Sequence, residues 1–159
     1  MEVLIAGRYS ATYAAVDMGV SREGWTVEVS SDLENVSPTD AYGESVIDQI
    51  YRGGQHFAQG ESISYKAGST APFWPWGALG VMGIIGRLAS DVAAAMVMTS
   101  TAGTPAVAAP ATVTANKSIL AENNRLGLMF NSKLRTVPIR LRWLPYDAGS
   151  SVIKWFVTT

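Results

Sequence analysis

The stretch that most limits the fold of this chain is Ala71–Met98, APFWPWGALGVMGIIGRLASDVAAAMVM, its longest apolar run. Pro72 and Pro75 stand at its front, where proline suits a helix start but not a helix interior. Leu79, Met82, Ile85 and Ala89 then recur at spacings of three and four, the period of a helix face. Gly77, Gly80, Gly83 and Gly86 recur every third residue, and each glycine costs a helix about 1 kcal/mol relative to alanine. The expectation is one core helix around residues 77–91, held by packing, with Leu79, Met82, Ile85 and Leu88 buried against a sheet. Two alternatives compete. A membrane-spanning helix needs about 18 apolar residues in a row, and Ala71–Gly86 is shorter and ends at Arg87. A membrane-active wedge is suggested only by the mixture of Gly, Trp and Phe.

Outside this run the periodicity is that of strands. Val3–Ile5 and Tyr9–Val16 read as short strands, with Asp17–Gly19 as a turn or bulge. Trp25–Val29 alternates apolar and polar residues; Leu33–Val36 continues it or pairs beside it, and Pro38 ends it. Asp40–Gly54 is less regular and reads as a loop with a short strand, followed by a strand over Gln55–Lys66. Ala93–Ser100 is a further strand. Thr101–Ala115, rich in Ala, Thr and Pro, reads as an extended connector, and Leu126–Phe130 as another strand. Val137, Ile139, Leu141 and Trp143 alternate with Arg140 and Arg142, and Pro138 marks a strand start or an edge. Tyr146–Ser150 is a turn and Val152–Val157 the returning strand. The expected class is mainly β (α+β). It is a sandwich or barrel of seven or more mostly antiparallel strands, in a single domain spanning residues 1–159.

Charge narrows the function classes. Only 16% of residues are charged and 48% are hydrophobic, against a charged share of about 25% in ordinary domains. Low charge favours a protein that covers part of its surface in an assembly. Nine of the 13 acidic residues lie within 1–48, and ten of the 12 basic residues lie beyond. Either one fold presents two oppositely charged surfaces, or the acidic side of one subunit docks on the basic side of the next, which makes rings or filaments. Met1–Gly7 has no basic start, so no secretory signal is expected. The absence of cysteine excludes a disulfide framework, a thiolate metal site and a cysteine nucleophile.

The candidate chemical constellations are weak. His56 is the only histidine, and its Gly-Gly-Gln-His setting matches no nucleophile motif. Asp40, Glu44 and Asp48 could hold a hard cation, but they lack the alternating ligands of a calcium loop and read as a solvated acidic edge. Lys133, Arg135, Arg140 and Arg142 form a basic cluster, with Arg140 and Arg142 on the strand face opposite Trp143. Nucleic-acid binding from that cluster is opposed by the acidic pI of 5.8 and by the lack of aromatics on the basic face. No phosphate-binding glycine pattern is present. No cofactor, metal or catalytic set is expected.

Three stretches resemble the tail tube (major tail) proteins of tailed bacteriophages. The first is Gly7-Arg-Tyr-Ser-Ala-Thr-Tyr13, leading through Gly19 and Gly24 into the Trp25–Val29 strand. The second is Thr39-Asp-Ala-Tyr-Gly-Glu-Ser-Val-Ile-Asp48, followed by Ile50-Tyr-Arg-Gly53. The third is Val137-Pro-Ile-Arg-Leu-Arg-Trp-Leu-Pro-Tyr-Asp147 with Ile153-Lys-Trp-Phe156. The apolar Phe73–Gly86 stretch departs from that pattern. The resemblance implies a β-sandwich or barrel with a flanking helix, six copies per ring, and rings stacked into a hollow tube through which the genome is ejected. It implies no catalysis, no cofactor and no membrane insertion. Localisation would be the virion tail, assembled in the bacterial host cytoplasm. The implied partners are further copies of the chain and other tail proteins such as terminator, tape measure and distal components, with DNA passing the lumen without sequence-specific binding. Candidate subunit-interface residues are Asp40, Tyr42, Glu44, Asp48, Arg52, Arg135, Arg140 and Arg142. Two alternatives stay open: a terminator, ring adaptor or decoration protein of related fold, and a monomeric β-barrel binding module.

Overall fold

Alternation of inward apolar and outward polar side chains builds this molecule strand by strand. The computed structural model describes residues 9–21, 24–36, 46, 48–62, 71–78, 80–101, 112–124, 137–149 and 152–159. The strands are β1 (Tyr9–Tyr13), β2 (Val16–Val20), β3 (Trp25–Val36), β4 (Asp48–Ser62), β5 (Ala94–Ser100), β6 (Thr112–Leu120), β7 (Val137–Trp143), β8 (Tyr146–Asp147), β9 (Ile153–Lys154) and β10 (Val157–Thr158). Eight of them form one antiparallel sheet in the order β2-β1-β5-β6-β7-β4-β3, with β10 paired to β6; β8 and β9 form a separate small hairpin. The class is mainly β.

One face of the sheet is the core, so the sheet must wrap around that face to keep it dry. The wrapping brings the residue after β2 onto β4, where Glu61 N–H donates to Ser21 Oγ at 3.2 Å. The result is barrel-like. Inside lie Ala11 and Tyr13 of β1, Ala58 of β4, Met96 and Met98 of β5, Val113 and Ala115 of β6, and Val137, Ile139, Leu141 and Trp143 of β7. Strand β7 shows the clean alternation its sequence promises: every second residue from Val137 is buried, while Pro138 is exposed and Arg140 and Arg142 are half-buried on the other face. At Pro138 the strand pairs only with Glu61 of β4, so the missing N–H costs no second ladder bond. Phe73, at the end of a single 3-10 turn over Ala71–Phe73, stacks on Tyr13 with ring centroids 5.3 Å apart. Tyr13 in turn donates its hydroxyl to the Ser118 carbonyl at 3.2 Å, and burial pushes its phenol up to about 12.

The expected core helix is absent. Of the described residues in 77–91, only the end is helical, in a four-residue helix α1 (Ala89–Val92) with no buried residue. Met82, Ile85 and Leu88 are 77%, 82% and 65% exposed. Leu79 lies outside the described residues. The glycines explain the failure. Gly80 and Gly86 adopt φ of +84° and +87°, which a right-handed helix excludes. Gly83 lies so close against Trp76 that a Cβ there would collide with it. The Trp74 indole N–H donates to the Val81 carbonyl at 3.0 Å and fixes the loop from the other side. The threefold spacing of apolar groups is therefore that of successive turns.

Three further readings change. The turn lies at Ala14-Ala15, whose φ values of 51° and 62° suit a tight two-residue hairpin. Asp17–Gly19 sits within β2, and Met18 is buried. Asp48–Gly54 is continuous strand, not loop. Val113–Ala115 belongs to β6, an interior strand of the sheet, not to a connector. The expected strands at Val3–Ile5 and Leu126–Phe130 lie outside the described residues.

Candidate assembly surface

Strands β3 and β4 are the longest in the sheet, and only the first part of β3 and the last part of β4 belong to the barrel. They pair with each other from Trp25↔Gly60 to Val36↔Asp48. Strand β4 pairs with β7 only from His56 to Ser62. Beyond the Val29–His56 pair, therefore, residues 30–36 and 48–55 pair, among the described residues, only with each other, as a two-stranded arm. At about 3.4 Å per residue it extends roughly 25 Å from its root.

A β-bulge shapes the arm. The register slips between Asp32 and Leu33, leaving Arg52 as the extra residue on β4. Gly53 takes φ of +129° there, and a Cβ on Gly54 would run into the Ser30 carbonyl oxygen. Cross-strand partners share a face. Val29, Leu33 and Tyr51 thus continue the face on which Val27 and Ala58 meet the core. In the arm that face has no core to meet: Val29, Leu33 and Tyr51 are all exposed, as is Ile50 on the opposite face. Gln49 Nε2 donates to Asn35 Oδ1 at 2.9 Å and ties the far end.

The root of the arm is packed instead. His56 is buried and stacks on Trp155, ring centroids 4.4 Å apart; Phe156 tilts against both His56 and Trp143. Burial pushes the His56 imidazole below its usual value, so it is held neutral at neutral pH. The C-terminal segment then pairs with β6 through Val157 and Thr158. This histidine positions the arm and the C-terminal segment on each other.

The candidate interface residues divide. Asp48 starts β4 at the far end of the arm, exposed, its Oδ1 accepting from Gln49 N–H at 2.7 Å. Arg52 lies in the arm and is paired with Glu34 at 2.7 Å. Arg140 and Arg142 come together on the outer face of β7 beside the Phe57 ring, at 4.0 and 6.0 Å from its centroid. Arg140 pairs with Glu28 at 2.8 Å and Arg142 with Glu122. Both guanidinium groups are thus engaged by carboxylates of their own chain. Asp40, Tyr42, Glu44 and Arg135 lie outside the described residues. Sequence reasoning missed the arm's exposed apolar residues, Val29, Leu33, Ile50 and Tyr51, and the exposed apolar loop over residues 74–88. The available signal was the clustering of β-branched and aromatic residues around Gly53-Gly54.

Chemically the surface is suited to association. An open recess of about 370 Å³ on the outer face is lined by Thr26, Gln59, Glu61, Asn124 and Arg140. With Glu28 already on Arg140 and Glu61 in the lining, its described residues offer no unmatched positive charge to an anion. Among the described residues no group of three or more acidic or histidine side chains converges as a metal site, and no helix is long and apolar enough to cross a membrane. The chain matches no protein-family model, and comparison with curated proteins finds no match.

Proposed function

We propose that this chain is a structural virion protein, the subunit of a bacteriophage tail tube. In this reading its copies form six-membered rings that stack into a hollow conduit for genome ejection. The protein catalyses no reaction and holds no cofactor. Its partners are its own copies and the terminator, tape measure and distal tail proteins, with DNA passing through the lumen unread. It is assembled in the host cytoplasm and resides in the virion tail.

The observation that carries this reading is the arm. A two-stranded ribbon alone in water is marginally stable. Here one extends over residues 30–36 and 48–55, with Leu33, Ile50 and Tyr51 exposed along it and Val29 exposed at its root. Exposed apolar ribbon of that length is an aggregation hazard in a monomer and a contact surface in an assembly. The three stretches that resemble the tail tube family support the same reading, and the second of them, Thr39–Gly53, contains most of β4's share of the arm. In this reading the proposed contact residues are Asp48 and Arg52 of the arm and Arg140 and Arg142 of β7, together with Asp40, Tyr42, Glu44 and Arg135, which lie outside the described residues.

Negative-stain electron microscopy of the purified protein is the test. Stacked rings with an open lumen are expected. Single rings that never stack would favour a terminator or adaptor, and a monomer at high concentration in every salt condition would leave only the binding-module alternative.

A further inference from the structure

The molecule carries two separate apolar surfaces, and the strand directions place them at opposite ends. Strand β4 leaves the arm, passes His56 and ends at Ser62; the chain re-enters the sheet at Ala94, the first residue of β5. Phe73, between those points, is anchored on Tyr13, the last residue of β1, which runs in the same direction as β4. The loop over residues 74–88 therefore sits at the end of the barrel away from the arm. It presents Val81, Met82, Ile84, Ile85 and Leu88 to solvent, in a geometry fixed by the Trp74–Val81 hydrogen bond and by Gly83 against Trp76.

Within one copy these surfaces cannot meet. We propose that the apolar loop of one copy packs on the apolar face of the arm of the next, so that copies join end to end. The exposed surface is roughly 700 Å² on the loop and roughly 300 Å² on the arm face of Val29, Leu33 and Tyr51, so one contact buries about 600 Å² in all. That is less than the ~1,000 Å² of a lone stable pair, and the contact holds by being repeated around each ring of copies. A contact between unlike surfaces at opposite ends does not close on itself, which is the condition for stacking. A loop-to-loop contact would bury the loop but close after two copies, leaving both arms uncovered. A lipid surface is the poorer fit, since interfacial membrane segments are flanked by several basic residues and residues 74–92 carry only Arg87, with Asp91 beside it. The proposal rests on the self-assembly reading and names the contact that reading leaves open.

The chain has no cysteine, so introduced thiols report without background. Leu33→Cys and Met82→Cys chains are prepared separately, then mixed under mild oxidation. The mixture is expected to give about tenfold more covalent dimer than either chain alone, because the contact raises the local thiol concentration. A chain with both substitutions should give a ladder of covalent multimers. Self-linking of Met82→Cys as efficient as linking in the mixture would overturn the proposal in favour of a loop-to-loop dimer. So would flotation of the parent protein with phosphatidylcholine–phosphatidylglycerol vesicles, lost on Met82→Asp. Stacked rings without linking in the mixture would overturn the contact and leave the tube reading standing. A parent protein that is monomeric throughout would overturn both.

Discussion

Truncating two apolar residues of the same size separates a packed helix from an exposed loop. Ile85 is 82% exposed, so less than a fifth of its surface is withdrawn from water. That amounts to on the order of 25 Å² of side chain, worth about 0.6 kcal/mol at ~25 cal/mol per Å². Ile85→Ala removes part of that, and the expected cost to the folded monomer is below about 0.5 kcal/mol. Leu141 is fully buried between Ala58 of β4 and Leu120 of β6. Leu141→Ala leaves a cavity in a core that cannot collapse around it, at a cost of about 2–5 kcal/mol. Urea unfolding followed by tryptophan fluorescence measures both, at a concentration where sedimentation finds monomer, so that lost association does not enter. A loss above about 2 kcal/mol for Ile85→Ala would show that the 77–91 stretch packs against the sheet. The end-to-end contact would then lose its loop.

Other substitutions address the hairpin, the root of the arm and its bulge. Tyr13→Phe should cost about 1 kcal/mol in urea unfolding, the worth of the hydrogen bond to the Ser118 carbonyl, while the stacking on Phe73 is kept. His56 has its imidazole held below the ordinary value of about 6.5 by burial, so the unfolded chain binds its proton first as pH falls. Stability should therefore be highest well above about pH 6.5 and fall as the pH drops through that value; His56→Phe should flatten that fall in thermal unfolding. Gly53→Ala places a side chain at φ of +129° with nothing near it to clash, so its cost is backbone strain of about 1–3 kcal/mol. It should also loosen the outer half of the arm, seen as faster amide exchange over residues 33–36 and 48–51.

The sheet was legible where strands keep one phase and hidden where a bulge changes it. Strand β7 alternates without interruption from Val137 to Trp143 and reads directly. Strand β6 buries Val113 and Ala115, then Ser118; its register slips against β5 between Ala115 and Ser118, so the alternation of Thr112–Ala115 is too short to read and is lost beyond it. Strand β4 breaks its phase at Arg52–Gly53 for the same reason, and its outer part reads as a loop. The apolar loop misled in the other direction, because glycine-bounded turns three residues apart imitate a helical spacing. Of the candidate site, the shared outward face of Arg140 and Arg142 followed from alternation. Their carboxylate partners did not, since Glu28 lies 112 residues from Arg140 in sequence and meets it only through the β3-β4-β7 register.

That register also explains where much of the uneven charge goes. Glu28 and Glu34 belong to the acidic first third of the chain, and Arg140 and Arg52 to the basic remainder. Folding lays β3 beside β4 and β4 beside β7, so charges that look segregated in sequence become neighbours within one subunit. Each pair is half exposed and therefore weak, about 0–1 kcal/mol. Yet each matches a cation that a neighbouring copy would otherwise have to satisfy. Among the described residues, what the two ends of the barrel chiefly expose is apolar. Association should then depend on ionic strength mainly in its rate, since screening beyond about 10 Å at 0.1 M salt removes steering but not burial. Light scattering should show slower assembly at about 1 M salt than at about 0.05 M, with the same final mass. Tubes that dissolve in high salt would mean that carboxylate–guanidinium contacts between copies, such as Asp48 to Arg140 or Arg142, hold the assembly, and that the intrachain pairs open to form them.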